Sequence, residues 1–393
     1  MSEIRVTNVL GENGNSPVNF TKGINMSGIV TATSFVPTTG QLSHRNLIIN
    51  GDYRISQRST SSTSNGYQTM DRWYMYSLNT GVTVTTAQVA VTSGNAYDDG
   101  FRKVAKISLS GAGTLAADSQ IQLFTKLEGQ DIANSGWNYK SASSFITLSF
   151  WVKSSTAQAF PVHIRTDDGT SYAYSFTYTV AQANVWQKIT KSIPGNSNLT
   201  IDDDNGSGLR VYAAMPVQGS NFDGATADTW AVNATATRVP PVPDTWLTAG
   251  ASTFEITGVQ LEVGPVTTPF EHRSFGDELA RCQRYYQQYV NISAVGYVPD
   301  NNARTYSHGF FFPVTMRAAP TMSITNTGSS GGQYITDGDT NRYIASMLSQ
   351  GSKTTHMSVS FNLTGDLANF RGAYLFGTGN TSYQTTYKIN AEL

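Results

Sequence analysis

Ile146-Thr147-Leu148-Ser149-Phe150-Trp151-Val152-Lys153 alternates apolar and polar side chains, the period-two pattern of a strand with one face in a core. Ile146, Leu148, Phe150 and Val152 share one parity. Thr147, Ser149, Trp151 and Lys153 share the other, which puts Trp151 on the outer face or against a neighbour. Working outward, Tyr172, Tyr174, Phe176 and Tyr178 alternate with Ala173, Ser175 and Thr177 in another strand. Residues 161–167 form a third, joined to the tyrosine strand through Asp167-Asp168-Gly169 as a hairpin. In residues 254–263 the apolar parity switches: Phe254 and Ile256 set one phase, Val259, Leu261 and Val263 the other. Gly258 sits at the switch, the expected place for a β-bulge. Short strands with Gly, Asn and Asp turns continue from 47 to 263 and predict a two-sheet sandwich or jelly roll. Residues 225–243, with Val239-Pro240-Pro241-Val242-Pro243, read as a loop.

The 393 residues allow two or three domains. Residues 1–42 read as an N-terminal attachment or oligomerisation segment. Short strands there are broken by turns such as Gly11-Glu12-Asn13-Gly14-Asn15-Ser16-Pro17, and large apolar groups are too few for a core of its own. Residues 43–272 hold the sandwich. Residues 273–290 read as a linker helix, with Ser274 as N-cap and Asp277 and Glu278 in the first turn. Phe275, Leu279, Cys282, Tyr286 and Tyr289 fall on one helical face; Arg281, Arg284, Gln287 and Gln288 fall on the other. That stripe fits packing on the chain's own domain better than a two-heptad coiled coil. Residues 291–393 return to strands, clearest at 310–313, 322–324, 358–363, 374–376 and 387–393, enough for a second small β-domain such as another sandwich. No internal repeat points to a solenoid. The expected fold class is therefore all-β: a jelly-roll β-sandwich, a short α-helix and a second small C-terminal β-domain, behind an extended N-terminal attachment segment.

Charged residues make up 13% of the chain, about half the roughly 25% of an average domain, and Ser, Thr, Asn, Gln and Gly take their place. The net charge of −1 and the lack of any Lys/Arg run argue against a nucleic-acid partner. Cys282 is the one cysteine, so no intrachain disulfide is expected and folding in a reducing cytoplasm fits. The first ten residues carry no apolar signal-peptide core. No apolar run approaches the ~20 residues of a membrane span, so membrane insertion is not expected.

Five segments, in this order, resemble a recurrent module of phage tail-fibre-like and other virion appendage proteins of marine phages and cyanophages. They are NLIINGDYRISQRST at 46–60, DRWYMY at 71–76, ITLSFWVKSS at 146–155, WQKITKSIPG at 186–195 and FEITGVQLEVGPVTTPFEHRSFGDELARCQRYYQ at 254–287. FPVTMRAAPT at 312–321 resembles the stretch that often follows the helix in these proteins. The resemblance implies a carbohydrate-binding-module-like jelly roll on a virion protein. By analogy with phage fibres it implies a homotrimer that docks on other phage structural proteins through its N-terminal segment and meets a host cell-surface glycan. Such a protein is assembled in the host cytoplasm and released by lysis. Trp73, Trp151 and Trp186 lie inside the shared motifs and read as structural.

No catalytic residues are assigned. His44, His163, His272, His308 and His356 are scattered without metal-ligand spacing, and Cys282 reads as a core residue on its helix. A glycan depolymerase needs two carboxylates flanking the bond; Glu255, Glu262, Glu271, Asp98, Asp99, Asp167 and Asp168 are present, but no spacing pairs them. Asp202-Asp203-Asp204-Asn205-Gly206 is a candidate for structural Ca²⁺ or, alternatively, a solvated turn. It fails the EF-hand pattern, because Ile201 and Tyr212 would fill the first and last ligand positions. No other cofactor is expected. For a glycan, aromatic faces stack on sugar rings and amides bond hydroxyls. The candidates are Tyr172, Tyr174 and Tyr178 on one strand, Trp137 with Tyr139, and Trp230, with core packing as the other reading of the tyrosine stripe. The functional expectation is a non-enzymatic virion fibre that recognises a host glycan. A purely structural capsid, collar or tail decoration protein is the alternative, and a glycan depolymerase the second.

Overall fold

Twelve strands between Ser61 and Val263 stack as two six-stranded antiparallel sheets in the computed structural model. The structure describes residues 44–290, 292–297, 305–326, 334–336, 341–363, 372–376 and 385–393. The expected attachment segment 1–42 lies outside them. The first sheet runs in the order β1 (Ser61–Ser62), β3 (Val84–Ala90), β4 (Lys103–Leu109), β12 (Thr253–Val263), β6 (Phe145–Ser154), β9 (Gln187–Pro194). The second runs β11 (Thr229–Val232), β8 (Tyr172–Thr179), β7 (Ala159–Thr166), β10 (Ser207–Gln218), β5 (Gln120–Glu128), β2 (Tyr74–Leu78). The chain crosses repeatedly from one layer to the other, as a jelly roll does.

Parity sets the core. Ile146, Leu148, Phe150 and Val152 of β6 are fully buried against Ile121, Leu123, Val162, Ile164 and Val211 from the second sheet. The β7–β8 hairpin turns at Asp167-Asp168-Gly169, where Gly169 takes φ +55°. The bulge in β12 is where the parity switch puts it. Pairing with β6 slips between Thr257 and Gln260, which lets Phe254, Ile256, Val259 and Leu261 all enter one core. Gly258 there has φ +63°, and a Cβ would lie 2.4 Å from the Phe101 ring, so both backbone and packing demand glycine.

The 46–60 motif closes the end of the sandwich with its two asparagines. Asn46 Oδ1 accepts from the Ile48 and Leu261 amides (3.0 and 3.1 Å), and its Nδ2 donates to the Val259 carbonyl. Asn50 Nδ2 donates to the carbonyls of Ile55 and Asp71 (2.9 Å each), and Trp73 Nε1 donates to the Asn50 carbonyl (2.9 Å). The buried side-chain amides of Asn46 and Asn50 therefore have partners. Trp73 is structural, as its motif suggests.

Three short helices, α1 (Asn95–Asp98), α2 (Gly129–Ala133) and α3 (Thr245–Thr248), interrupt the strands. The fourth, α4 (Phe275–Gln283), is capped by Ser274, whose Oγ accepts the Asp277 amide at 3.1 Å. It is shorter than the sequence pattern predicts. Tyr286 and Tyr289 belong to a strand, β13 (Tyr286–Val290), because β21 (Thr385–Asn390) offers a complete antiparallel ladder there. Phe275, placed on the apolar stripe by periodicity, is 60% exposed, whereas Cys282 is fully buried. β21 also pairs with β16 (Thr321–Asn326). The remaining strands do not form a second sandwich. β14 (Ala294–Tyr297), β15 (Thr305–Phe311), β19 (His356–Leu363), β18 (Asn341–Ser352), β17 (Tyr334–Thr336) and β20 (Gly372–Phe376) close into a barrel. Closure removes the free edges that a small open sheet would expose.

Charged contacts lock the C-terminal strands to the sandwich. Arg284 makes two bonds to the Glu128 carboxylate (2.9 and 2.8 Å), and Tyr285 donates a third. Glu392 meets Arg58 at 3.2 Å and also bonds Arg72, whose guanidinium lies 3.4 Å from the Tyr285 ring centre. Burial works against the Arg72 charge, and Glu392, Tyr285, Tyr67 and Cys282 together more than restore it. Among the described residues, no helix is long and apolar enough to cross a membrane.

Candidate ligand-binding face

The aromatic residues singled out by the sequence lie mainly inside the sandwich. Tyr174 and Tyr178 share parity with Phe176 and point into the core, at 3% and 8% exposure. The Tyr178 ring packs on Phe150 and Phe160, with centroids 5.3 and 6.0 Å away. Tyr172 and Tyr139 are half-buried against the same core, and Tyr139 donates to the Ile201 carbonyl at 3.3 Å. Trp137 is buried. Trp230 is buried beside Tyr174, its Nε1 donating to the Pro194 carbonyl at 2.7 Å. These residues form no common open face. Tyr174 and Tyr178 pack in the core because β8 turns that parity toward the opposite sheet, with Tyr172 at its margin.

The Asp202–Asp204 run works as a turn that holds α2. The Asp204 carbonyl accepts the Gln130 amide (2.8 Å), Asp204 Oδ1 accepts the Gly206 amide (2.8 Å), and Asp203 Oδ1 accepts Asn134 Nδ2 (2.7 Å). Among the described residues, no group of three His, Cys, Asp or Glu side chains is placed to hold a metal ion. Three of the acids weighed for a catalytic pair have close partners. Glu255 pairs with Lys153 (2.8 Å), Glu271 with Arg273 (3.0 Å), and Glu262 accepts from Thr268 Oγ1 (2.6 Å).

A different surface gathers chemistry: the outer face of the second sheet. On β5, Ile121, Leu123 and Leu127 enter the core, so Gln120, Gln122, Phe124 and Lys126 face out. Strand register then builds rows across the sheet. Tyr74, Phe124, Tyr212 and His163 sit opposite one another on β2, β5, β10 and β7. Their ring centroids are 4.9, 4.7 and 5.1 Å apart, with Tyr74 stacked on Phe124 at 20°. Cross-strand aromatic neighbours of this kind stabilise a sheet face. The next row places Lys126 opposite Arg210 and Arg210 opposite Arg165. Asp167 answers two of these cations, at 2.9 Å from Arg210 and 3.1 Å from Arg165. On the other side lie amides: Gln122 Nε2 donates to Gln120 Oε1 at 2.8 Å and to Gln218 Oε1 at 3.3 Å. Arg238 also donates to Gln120 Oε1.

A pocket of about 400 Å³ opens on this face. Tyr74, Tyr76, Phe124 and Tyr212 supply its rings, Gln120 and Gln122 its amides, and Lys126, Arg210 and Arg238 its cations; no carboxylate side chain lines it. Phe124 and Tyr212 are nearly covered, at 7% and 5% exposure, while Tyr74 and Tyr76 are half-buried. Beside the pocket, Val239 packs in an apolar cluster with Phe124, Tyr212 and Met215. At another edge Tyr67 stands edge-on to Tyr74, and both Tyr67 and Lys126 Nζ donate to the Leu393 main-chain oxygen (3.3 and 2.9 Å). A shift of register in β10 between Tyr212 and Ala214 keeps Tyr212 outside while Ala213 and Ala214 both fill the core.

The electrostatics are those of crowded positive charge. Burial, and then Arg210, push the Lys126 ammonium below its usual pKa. Burial likewise lowers Arg238, with Arg165 and Arg210 acting in the same direction against Tyr212. His163, fully buried, is pushed down to about 3 by burial, then by Arg238 and Arg165. Ser175 Oγ donates to the Arg238 carbonyl at 2.7 Å, so it accepts from His163 Nδ1–H at 2.9 Å. That fixes the neutral tautomer with Nε2 unprotonated, and Nε2 has no partner. Rings flanked by amides and cations suit binding of a polyhydroxylated ligand.

Sequence reasoning noted Tyr74 and Tyr76 only as part of a motif. The readable signal was Gln120-Ile121-Gln122-Leu123-Phe124-Thr125-Lys126-Leu127, another period-two run.

No protein-family model matches the chain, and no curated protein matches it. Among solved structures it is similar to a CBM4 structure, at 15% identity and TM-score 0.29 over 55% of this chain and 97% of that one. It is also similar to the family 11 carbohydrate-binding module from Clostridium thermocellum in complex with a β-1,3-1,4-mixed-linked tetrasaccharide, at 16% identity and TM-score 0.24 over 54% and 98%. A third is the enzymatically active domain of Bacteriophage CBA120 tailspike protein 4, at 14% identity and TM-score 0.29 over 56% of this chain and 21% of that one.

Proposed function

We propose that this chain is a non-enzymatic appendage protein of a phage particle that recognises a host-surface glycan on the outer face of its second sheet. The observation that carries the binding reading is the in-register Tyr74–Phe124–Tyr212 ladder beside Gln120 and Gln122, inside a pocket. Stacked rings offer an apolar platform to the C–H face of a sugar, and amides bond its hydroxyls. The five ordered motifs support the virion reading through their resemblance to phage fibre-like proteins. A homotrimer docked through residues 1–42 would present several such faces at once, and weak single sites then gain through avidity.

The test is binding of the full chain to fractionated host-envelope polysaccharide, read by calorimetry, with the Tyr74→Ala, Tyr74→Phe and Tyr76→Ala variants. The expected result is roughly a tenfold loss for each alanine variant, the scale of one lost stacking ring, and near-full retention for Tyr74→Phe. Unchanged affinity in both alanine variants would move the site off this face. Release of reducing ends from the same polysaccharide would overturn the non-enzymatic part.

A further inference from the structure

We infer that the glycan taken by this face is anionic, bearing carboxylate or sulfate groups that meet the Lys126, Arg210 and Arg238 cations. The inference deepens the proposed glycan-binding reading and rests on it. Like charges set directly opposite on neighbouring strands oppose the sheet, yet Lys126, Arg210 and Arg165 occupy three strands in register. Asp167 is one carboxylate serving two of them. The ammonium of Lys126 has the Leu393 main-chain oxygen at 2.9 Å, and Arg238 has the Gln120 amide oxygen and the Phe222 ring, 4.7 Å away.

In the matching row of the first sheet an acid stands in register between the cations, with Glu255 opposite Lys106 on β4 and Lys153 on β6. On the outer face of the first sheet Glu255 lies 2.8 Å from Lys153 and 4.0 Å from Lys106, and Lys188 lies 3.9 Å from Asp99. The chain as a whole carries a net charge of −1, so the excess on the second sheet is local and not compositional. It is also placed to be used. Phe124 and Lys126 are two residues apart on β5, a step of about 7 Å along a strand. That is the reach from a sugar ring stacked on the aromatic row to an acidic substituent on its rim. A planar guanidinium such as that of Arg238 matches a carboxylate or sulfate with paired hydrogen bonds. Such an anion would bring to the pocket the countercharge that its lining side chains lack.

The experiment measures affinity of the full chain for four polymers: alginate as a polyuronate, carrageenan as a sulfated galactan, laminarin as a neutral glucan, and polyglutamate as an anion without sugar rings. The expected result is an acidic glycan bound at least roughly tenfold tighter than laminarin. That preference should shrink as salt rises from about 50 to about 500 mM. Lys126→Gln and Arg238→Gln should each lose severalfold more on the acidic polymer than on laminarin, with Arg238→Lys recovering part of the loss on the acidic polymer and thermal melts confirming the fold. Alginate and carrageenan tell carboxylate from sulfate, and preference for either supports the inference. Laminarin bound as tightly as both, and lost in Tyr74→Ala, would overturn the charge requirement while leaving the glycan-binding face intact. Polyglutamate bound as tightly as alginate, with no effect of Tyr74→Ala, would overturn the glycan reading itself, as would failure of every glycan, including host polysaccharide, to bind.

Discussion

Both outer faces of the sandwich carry aromatic and charged side chains on the parity opposite to the core, yet their surroundings differ. On the first sheet Trp151 and Trp186 are roofed by Val91, Ala96 and Phe101, with Val89, Tyr97 and Phe270 packed around them. Trp151 Nε1 donates to Asp99 at 3.0 Å, and the lysines beside it have carboxylate partners. On the second sheet the rings of Tyr74 and Tyr76 stay at a pocket, and cations outnumber the acid that answers them. Alternation along a strand decides which side chains leave the core. Whether those side chains meet solvent is decided by loops from elsewhere in the chain. The segment carrying α1 lies over one face as a roof, whereas the stretch holding Arg238 and Val239 stands beside the other as a wall.

This contrast can be broken in three places. The largest effect is expected for Trp151→Ala, which empties a covered site and loses the Asp99 bond. It should cost about 3 kcal/mol in urea unfolding while leaving glycan affinity unchanged. Loss of binding with little loss of stability would reverse the roles of the two faces. The next concerns His163. Its folded pKa of about 3 lies below the ordinary histidine value of about 6.5, so the unfolded chain takes up the proton first and stability falls as pH drops below the unfolded value. Between pH 7 and pH 5 the expected loss is about 2 kcal/mol, and His163→Gln should flatten that slope, whatever its effect at pH 7. A wild-type profile no steeper than that of the variant would show a solvated face around His163. The smallest effect is expected for Lys153→Met. Its pair with Glu255 is partly exposed, so unfolding should shift by no more than about 0.5 kcal/mol and glycan affinity not at all.

Much of the architecture was legible because parity and turn chemistry are local. The β6 alternation, the hairpin at Gly169, the bulge at Gly258 and the Ser274 cap all stand where the residues put them. The end of α4 was not legible. Tyr285 to Val290 satisfies a helical stripe in isolation, and only the presence of β21, about 100 residues later, makes the strand the better use of its amides. The closed barrel was hidden for the same reason. The candidate site shows the limit most plainly. Tyr172, Tyr174 and Tyr178 advertise an aromatic face, but a single strand does not reveal which side its partner sheet lies on. The aromatic row on the second sheet draws one residue each from β2, β5, β10 and β7, and no spacing in the sequence announces that register.

Glu392 touches Arg58 and Arg72, residues 334 and 320 positions earlier. Because Arg72 adjoins Trp73 at the closed end of the sandwich, the contact buckles the described chain into a ring of force. Three links tie the later strands to the sandwich: Arg284 and Tyr285 on Glu128, Arg317 on Asn205, and Glu392 on Arg58 and Arg72. A pull on the C-terminal strands is expected to load these links in shear, together with the β13–β21 ladder.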